Sequence, residues 1–237
     1  MTWLGPLLGT VALGGVAALD ATPVAQTLFS QPLVTSAILG AVWGDWELAL
    51  RVGVVLQVLA ASTLPIGART PEDYAVGGVV GVGLALALSV GQPFASSRDA
   101  CAMAGVLVGL VTATAGVPLI KWQRRRNEGL SRWCEAELRA GREGSLAAAQ
   151  RAAVVLAFGV GVGFCAAALG VGLWSLRGVV EHHSLRIARA WSMAEPLWIG
   201  FGLAQLLNAF IHRRVARAAL FGAALIGAWL VLMVERS

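Results

Sequence analysis

Charged residues are scarce in this chain, and that scarcity excludes most soluble proteins. Only 13% of the 237 residues are charged, whereas a soluble domain carries about 25%. The three histidines stand in no serine–histidine–acid arrangement that would support nucleophilic catalysis. The three cysteines, Cys101, Cys134 and Cys165, are too far apart in sequence to form a paired metal or disulfide framework. We therefore predict no catalytic residue, no metal site and no cofactor.

Hydrophobic residues, in contrast, make up 57% of the chain. Several uncharged stretches reach the roughly 17–25 residues that a transmembrane helix needs. They are Met1–Leu19, Ala21–Gly44, Val52–Ala68, Tyr74–Ser97, Ala100–Ile120, Ala152–Leu176, Pro196–Ile211 and Ala218–Val234. The sequence thus predicts an all-α polytopic membrane protein with seven to eight hydrophobic segments, some of them re-entrant hairpins.

The basic residues are concentrated in one segment. Eight of the eighteen fall between Lys121 and Arg151, and loops rich in Lys and Arg stay cytoplasmic. Topology accounts for this clustering, so no nucleic-acid partner is predicted. We divide the chain into an N-terminal membrane part (1–120), a basic, amphipathic cytoplasmic loop (121–151) and a C-terminal membrane part (152–237). Within the loop, the helical spacing of Leu130, Trp133, Cys134 and Leu138 predicts a short amphipathic helix, with a solvated connector as the alternative. The Arg177–Arg189 connection and Arg98 are expected on the opposite side.

Four polar residues in the first part of the chain indicate a polar path through the membrane. Asp20, Gln31, Gln57 and Asp73 lie within or beside long apolar runs, two of which contain helix-breaking prolines. Polar groups at membrane depth are expensive unless they face protein or a wet cavity, and broken helices often line such cavities. Each residue also has a structural alternative: Asp20 and Asp73 could cap helices, and Gln57 could bond a neighbouring helix.

Weaker candidates lie elsewhere in the chain. Gln205 and Asn208 are three residues apart and share a helix face, where they could bind a hydroxylated solute or cross-link helices. Asp45 fits either the polar path or a turn at the water boundary. The Glu181-His182-His183 cluster has no third ligand nearby in sequence, so an interfacial surface patch is a better interpretation than a metal site.

Several short motifs of the first part resemble those of one family. They are Leu19-Asp20, Gln31-Pro32-Leu33, Leu39-Gly40 with Gly44-Asp45, Gly53 with Leu56-Gln57, and Pro65-Ile66-Gly67 followed by Pro71-Glu72-Asp73. In this order and spacing they resemble the mannose–fructose–sorbose family IIC component of the phosphoenolpyruvate-dependent sugar phosphotransferase system. A weaker similarity covers Gly200–Asn208.

The resemblance implies a multi-pass permease subunit of the cell inner membrane, helical with re-entrant hairpins, one of them at Asp20–Pro32. It would bind a hexose or related sugar, pair with a IID membrane subunit and form an oligomer in the lipid bilayer. Cytoplasmic IIA and IIB proteins would carry out phosphoryl transfer, so this chain would not itself be an enzyme. The sugar-site residues are then Asp20, Gln31, Gln57 and Asp73, with Gln205 and Asn208 as second-rank candidates.

The sequence also departs from the family pattern. Members similar to the mannose transporter carry a glutamate where this chain has Gln57 and an asparagine where it has Pro65. After Asn208 there is room for one further span, Ala218–Val234, where two are expected. These departures leave open an alternative, a non-transporting membrane scaffold or regulatory subunit derived from a IIC component.

Overall fold

The structure is a computed structural model that describes residues 3–21, 27–61, 70, 72–90 and 95–210, with short stretches at 215–216, 218–219, 221–223 and 226. Side chains are described for these residues except 95–96 and 208–210. The regular elements are six helices: α1 (Leu4–Ala21), α2 (Pro32–Trp43), α3 (Trp46–Ala61), α4 (Tyr74–Ser89), α5 (Ala95–Arg139) and α6 (Ser145–Phe210). No strand occurs in the described ranges, and the predicted all-α membrane fold is confirmed.

The helices differ greatly in length. Three are long and apolar enough to cross a membrane, over Leu4–Ala21, Ser97–Arg139 and Ser145–Leu207. α2 has 12 residues, and α3 and α4 have 16 each, which at about 1.5 Å per residue gives only about 18–24 Å. These three helices are shorter than the roughly 30 Å hydrocarbon core of a bilayer.

Helices α2 and α3 form a tight antiparallel hairpin. Gly44 adopts φ 74°, the left-handed conformation that ends α2, and Asp45 then caps α3 by accepting a hydrogen bond from the Leu48 amide (3.2 Å). Further along the hairpin, Ser36 packs directly on Gly53, which leaves no room for a Cβ there. Of the two interpretations of Asp45, the turn at a helix boundary is the one observed.

Contacts between helices fix their directions. Trp43 of α2 donates a hydrogen bond from Nε1 to Thr10 Oγ1 of α1 (2.9 Å), while the other end of α2 follows the turn at the C-terminus of α1. α1 and α3 therefore point one way, and α2 points the other way. Pro32, at the start of α2, packs on Gly78, near the start of α4. The C-termini of α1 and α3 and the N-termini of α2 and α4 thus meet at one end, which we call the recessed end.

The 66-residue helix α6 consists of two arms. The helical backbone is interrupted at His183, where φ is −122° and ψ is 19°. The first arm (145–182) runs antiparallel to α1, because Gly161 packs on Ala18 and Cys165 on Gly14. The second arm (184–210) runs parallel to α3, so the chain reverses its direction around the kink. The predicted segment Ala152–Leu176 lies within the first arm, and the predicted segment Pro196–Ile211 lies within the second arm up to Phe210, Ile211 being outside the described residues.

Helices α5 and α6 extend beyond the recessed end as a hairpin. α5 continues through Lys121 to Arg139, a turn follows, and α6 starts at Ser145, which contacts Cys134 across the hairpin (Sγ–Oγ 3.9 Å). The basic segment, predicted as a loop with a short amphipathic helix, is therefore helical over most of its length, and we call it the basic hairpin (121–151). Arg98 and the kink of α6 lie at the opposite end of the bundle, in agreement with the predicted topology.

Candidate functional site

Asp20 organises the turn that precedes α2. It is 8% exposed in the last turn of α1. Its Oδ1 accepts hydrogen bonds from the backbone amide (2.8 Å) and hydroxyl (2.7 Å) of Thr27, and its Oδ2 accepts one from the Ser30 amide (2.8 Å). Both oxygens are thus directed at the chain entering α2. Residues 22–26, which belong to the expected Asp20–Pro32 hairpin, lie outside the described residues.

Gln57 connects α3 to the start of α2. Its Nε2 donates to Gln31 Oε1 (2.7 Å), and its Oε1 accepts a hydrogen bond from the Leu33 amide (3.2 Å). The Leu33 amide is one of the donors left without an intrahelical partner at a helix N-terminus, so Gln57 caps α2 from another helix. Within the described residues, Gln31 Nε2 donates to no protein acceptor. The pair therefore retains donors for a hydroxylated ligand.

Asp73 occupies the equivalent position at the start of α4. Its Oδ1 caps the helix by accepting from the Val76 amide (3.2 Å), and its own amide donates to the Ala113 carbonyl of α5 (2.9 Å). A Cβ on Gly116 would lie 3.0 Å from Asp73 Oδ2, so this glycine admits the carboxylate against α5. Asp73 and Gln123 are the polar side chains of a small cavity between α1, α4, α5 and α6. Its other lining residues are Ala18, Val76, Leu119, Ile120, Ala157, Val160, Gly161 and Phe164.

The second arm of α6 brings Gln205 to the same end of the bundle. Gly202 packs so closely on Val58 that a Cβ would lie 2.6 Å from Val58 Cγ1, and Val58 is next to Gln57. Gln205 follows one turn later and is exposed. The side chain of Asn208 lies outside the described part of the chain, so the predicted pairing of its amide with Gln205 stays a prediction.

The candidate site lies at the depth of the apolar segments of α5 and α6, before those segments end. Asp73 contacts α5 at Gly116, whereas the apolar run of α5 continues to Ile120, about 6 Å further at 1.5 Å per residue. α1 contacts α6 at Gly161, and the apolar run of α6 begins at Ala152, about 14 Å away. Among the described residues, the ends of α1–α4 thus lie short of the apolar limits of α5 and α6 and leave a recess, and the basic hairpin stands beside its mouth.

One group of charged residues escaped the sequence analysis. At the end opposite the recess, Arg51 of α3 forms a bidentate ion pair with Glu195 of α6 (Nε–Oε1 2.8 Å, Nη2–Oε2 2.6 Å) and a second pair with Asp99 of α5 (2.5 Å). Arg98 pairs with Asp45 close by (2.5 Å). Arg51 and Glu195 both flank apolar runs, and such isolated opposite charges are a signal that could have paired them.

The histidine cluster has no metal-site geometry. His182 bonds the Gly178 carbonyl through Nδ1 (2.7 Å), and His183 is the residue at the kink. In the part of the chain that the structure describes, no three His, Cys, Asp or Glu side chains come together to hold a metal ion.

A helical membrane protein with broken helices meeting at a recessed polar cluster is, as a class, a membrane transport protein. The family described as the phosphotransferase system sorbose-specific IIC component matches residues 7–234. The chain belongs to this family, and it is a permease subunit of a sugar phosphotransferase system.

Solved structures share the fold at low sequence identity. One, described as a membrane protein, is 17% identical, with 100% of this chain and 97% of that chain covered and a TM-score of 0.68. Another is the mannose transporter ManYZ, solved by cryo-electron microscopy with microcin E492 (MceA). It is 16% identical, with 97% of this chain and 96% of that chain covered and a TM-score of 0.56. No curated protein sequence matches the chain.

Proposed function

We propose that this subunit binds a hexose or related sugar in the recess, at Gln31 and Gln57, with Asp20 and Asp73 shaping the site. The observation that carries the proposal is the Gln57–Gln31 pair at the N-terminus of α2. It combines amide groups with the positive end of a helix dipole inside a membrane protein, and a neutral polyol needs such paired donors and acceptors. Gln205 and Asn208 would approach the sugar from the second arm of α6.

Sugar binding tests this proposal directly. We would co-express the chain with its IID-type membrane partner and titrate the purified complex with tritiated mannose, fructose, sorbose and N-acetylglucosamine. Gln57→Ala should weaken binding of the preferred sugar by about tenfold, the value of one or two hydrogen bonds. Gln150→Ala, which truncates an exposed glutamine of the basic hairpin, is the matched control and should not change the affinity.

A cytoplasmic phosphotransferase protein would dock at the base of the basic hairpin. Four cations and no carboxylate occur between Lys121 and Arg126, whereas residues 127–151 hold four of each sign. Within residues 127–151, opposite charges also pair with each other: the hydrogen bond from Arg142 lowers the pKa of Glu137. Arg124 instead contacts Thr70 Oγ1 (3.3 Å), three residues before Asp73. The unbalanced charge therefore faces the mouth of the recess, where an anionic or phosphorylated IIB surface would meet the sugar.

The proposal extends to the remaining partners and to the location of the protein. The basic hairpin would lie in the cytoplasm and the protein in the cell inner membrane, because basic segments are retained on that side. IIA and IIB would be separate proteins that supply the phosphoryl group, with the IID subunit beside this chain in an oligomer. Glutamate substitutions at Lys121 and Arg125 should weaken IIB binding without changing sugar affinity.

The scaffold alternative has one observation in its favour. Gln57 replaces a glutamate expected from the family resemblance, and its amide is used here to cap α2. Pro65, the other departure, lies outside the described residues. The retention of Asp20, Gln31 and Asp73 with well-formed hydrogen bonds supports transport instead. Absence of binding of all four sugars by a folded, partner-bound complex would favour the scaffold.

A further inference from the structure

The ion pairs opposite the recess join three separate helices through a single cation. Arg51 belongs to α3, Asp99 to α5 and Glu195 to the second arm of α6, and each carboxylate bonds the same guanidinium. Loss of the Arg51 interaction would leave two carboxylates facing each other, and like charges repel. The attachment of the second arm to the other helices at this end therefore depends on Arg51.

The same ion pair aligns the second arm with α3. Glu195 lies 144 residues after Arg51, and Gly202, which packs on Val58, lies at the same sequence separation from its contact. The two helices thus run parallel without slippage over about two helical turns. If the second arm separated from α3 at Arg51, the interface between these two helices would open from this end towards Gln57.

A buried tryptophan lies directly beside the ion pairs. Trp191 is fully buried, lies 5.2 Å from the Arg51 guanidinium by its ring centroid and packs edge-on against Trp198. Its Nε1 has no hydrogen-bond partner among the described residues. An unpartnered buried donor is unfavourable, so the closed arrangement leaves a group that gains a partner on opening.

The ion pairs lie at the edge of the buried interior. The side chains of Arg51, Asp99 and Glu195 are 36%, 31% and 19% exposed, whereas Trp191 beside them and Ala102, one turn deeper than Asp99 on the same face of α5, are not exposed at all. The boundary between exposed and buried surface therefore passes through the three charged residues.

We propose that Arg51, Asp99 and Glu195 form the gate on the side opposite the basic hairpin, and that this structure shows it closed. The gate rests on the proposed transport function, because it admits the sugar towards the recess. It opens when Arg51 releases Glu195, so that the second arm separates from α3 and Trp191 becomes hydrated.

Thiol accessibility in intact cells tests the gate without any need for sugar. In the full chain, Cys101, Cys134 and Cys165 are replaced by alanine, and Ala102→Cys is introduced as a reporter for a membrane-impermeant maleimide added outside. Arg51→Gln should raise the labelling rate about tenfold, because the loss of charge-assisted bonds shifts a two-state equilibrium towards the open form. Ala113→Cys, an equally buried position near the recess, is the matched control and should stay unlabelled.

A variant in which all three charged residues are made neutral distinguishes gating from misfolding. The triple substitution Arg51→Gln, Asp99→Asn and Glu195→Gln keeps the side-chain shapes and removes the repulsion, so it should restore protection of the reporter thiol. Trp191→Phe removes the unpartnered donor and should lower the labelling rate below that of the parent. Unchanged labelling in Arg51→Gln at normal expression and thermal stability would overturn the gate.

Sugar uptake is then measured in the same cells. A labelling rate that rises in Arg51→Gln, without uptake of any test sugar, would support the gate and refute the proposed sugar function. Sugar uptake together with a labelling rate that does not change in Arg51→Gln would refute the gate and support the proposed sugar function.

Discussion

The two ends of this bundle handle polar groups in opposite ways. At the recessed end, Asp20 is surrounded by neutral donors from residues 27–30, and Gln57 by an amide and a helix N-terminus. At the other end, Arg51 is surrounded by carboxylates from distant helices. Polar groups whose partners are all neutral suit an uncharged sugar, whereas ion pairs between distant helices suit a contact that must form and break. The difference agrees with the proposed sugar site at one end and the proposed gate at the other.

The largest expected effect comes from removal of the Asp20 carboxylate. Asp20→Ala would leave three donors without an acceptor. A hydrogen bond to a charged group contributes about 1.5–3 kcal/mol, so the loss of three of them should destabilise the protein by about 3 kcal/mol or more. Asp20→Asn keeps one acceptor oxygen and should retain part of that stability. Thermal unfolding in detergent measures both variants, and equal midpoints for alanine and wild type would show that the turn does not depend on Asp20.

A smaller effect is expected where the second arm meets α3. Gly202→Val would place new carbons within van der Waals distance of Val58, including its backbone, and overpacking of this kind costs about 1–3 kcal/mol. Gly200→Val on the same helix meets nothing within 4 Å and is the matched control. Gly202→Val should lose sugar affinity and stability together. Identical behaviour of the two variants would contradict the close packing of α3 and the arm.

Gln57→Glu sharpens the comparison by placing a charge at the neutral end. A carboxylate at the N-terminus of α2 is favoured by the helix dipole, and charge-assisted hydrogen bonds are about twice as strong as neutral ones. We expect sugar affinity to rise about fivefold to tenfold, measured by titration of the purified complex. A loss of affinity in a folded variant would instead show that the sugar uses the Gln57 amide donor.

The smallest effect should be the salt dependence of the charged end. Asp99→Asn should lower stability by less than about 1 kcal/mol at low salt, because the pair is partly exposed. That difference should vanish near 1 M salt, where the Debye length is about 3 Å. The Asp20→Asn difference should be insensitive to salt, since its partners are neutral. A matching salt response at both ends would remove the distinction between them.

The sequence predicted the fold well where one local property decides the structure. Apolar run length located α1, α4 and α5, and the prolines and amides of the first part led to Asp20, Gln31 and Gln57. The structure joins Asp20 to the turn before Gln31 and joins Gln57 to Gln31, because all three lie at helix ends that meet. Asp73 reaches the same end through the N-terminus of α4.

Features that depend on distant partners could not be predicted in this way. Arg51 and Glu195 are 144 residues apart, and nothing in either local sequence specifies the other as its partner. The reversal within α6 occurs without proline or glycine at His183, so the predicted connector is continuous helix on either side of the kink. Only a short helix was expected in the basic segment, but strong helix formers and the pairing of α5 with α6 keep most of it helical.

The short helices also shape the electric field across the protein. α2, α3 and α4 cover about 18–24 Å of a hydrocarbon layer roughly 30 Å thick, so with the proposed orientation water entering the recess would bring the cytoplasmic potential deep into the membrane. The voltage would then fall over a thinner layer next to Arg51. A charge crossing the full potential gains about 2.3 kcal/mol per 100 mV, and even a fraction of that acts on the Arg51 ion pairs. A neutral sugar feels none of it, so the membrane voltage would act on the gate and leave the cargo untouched.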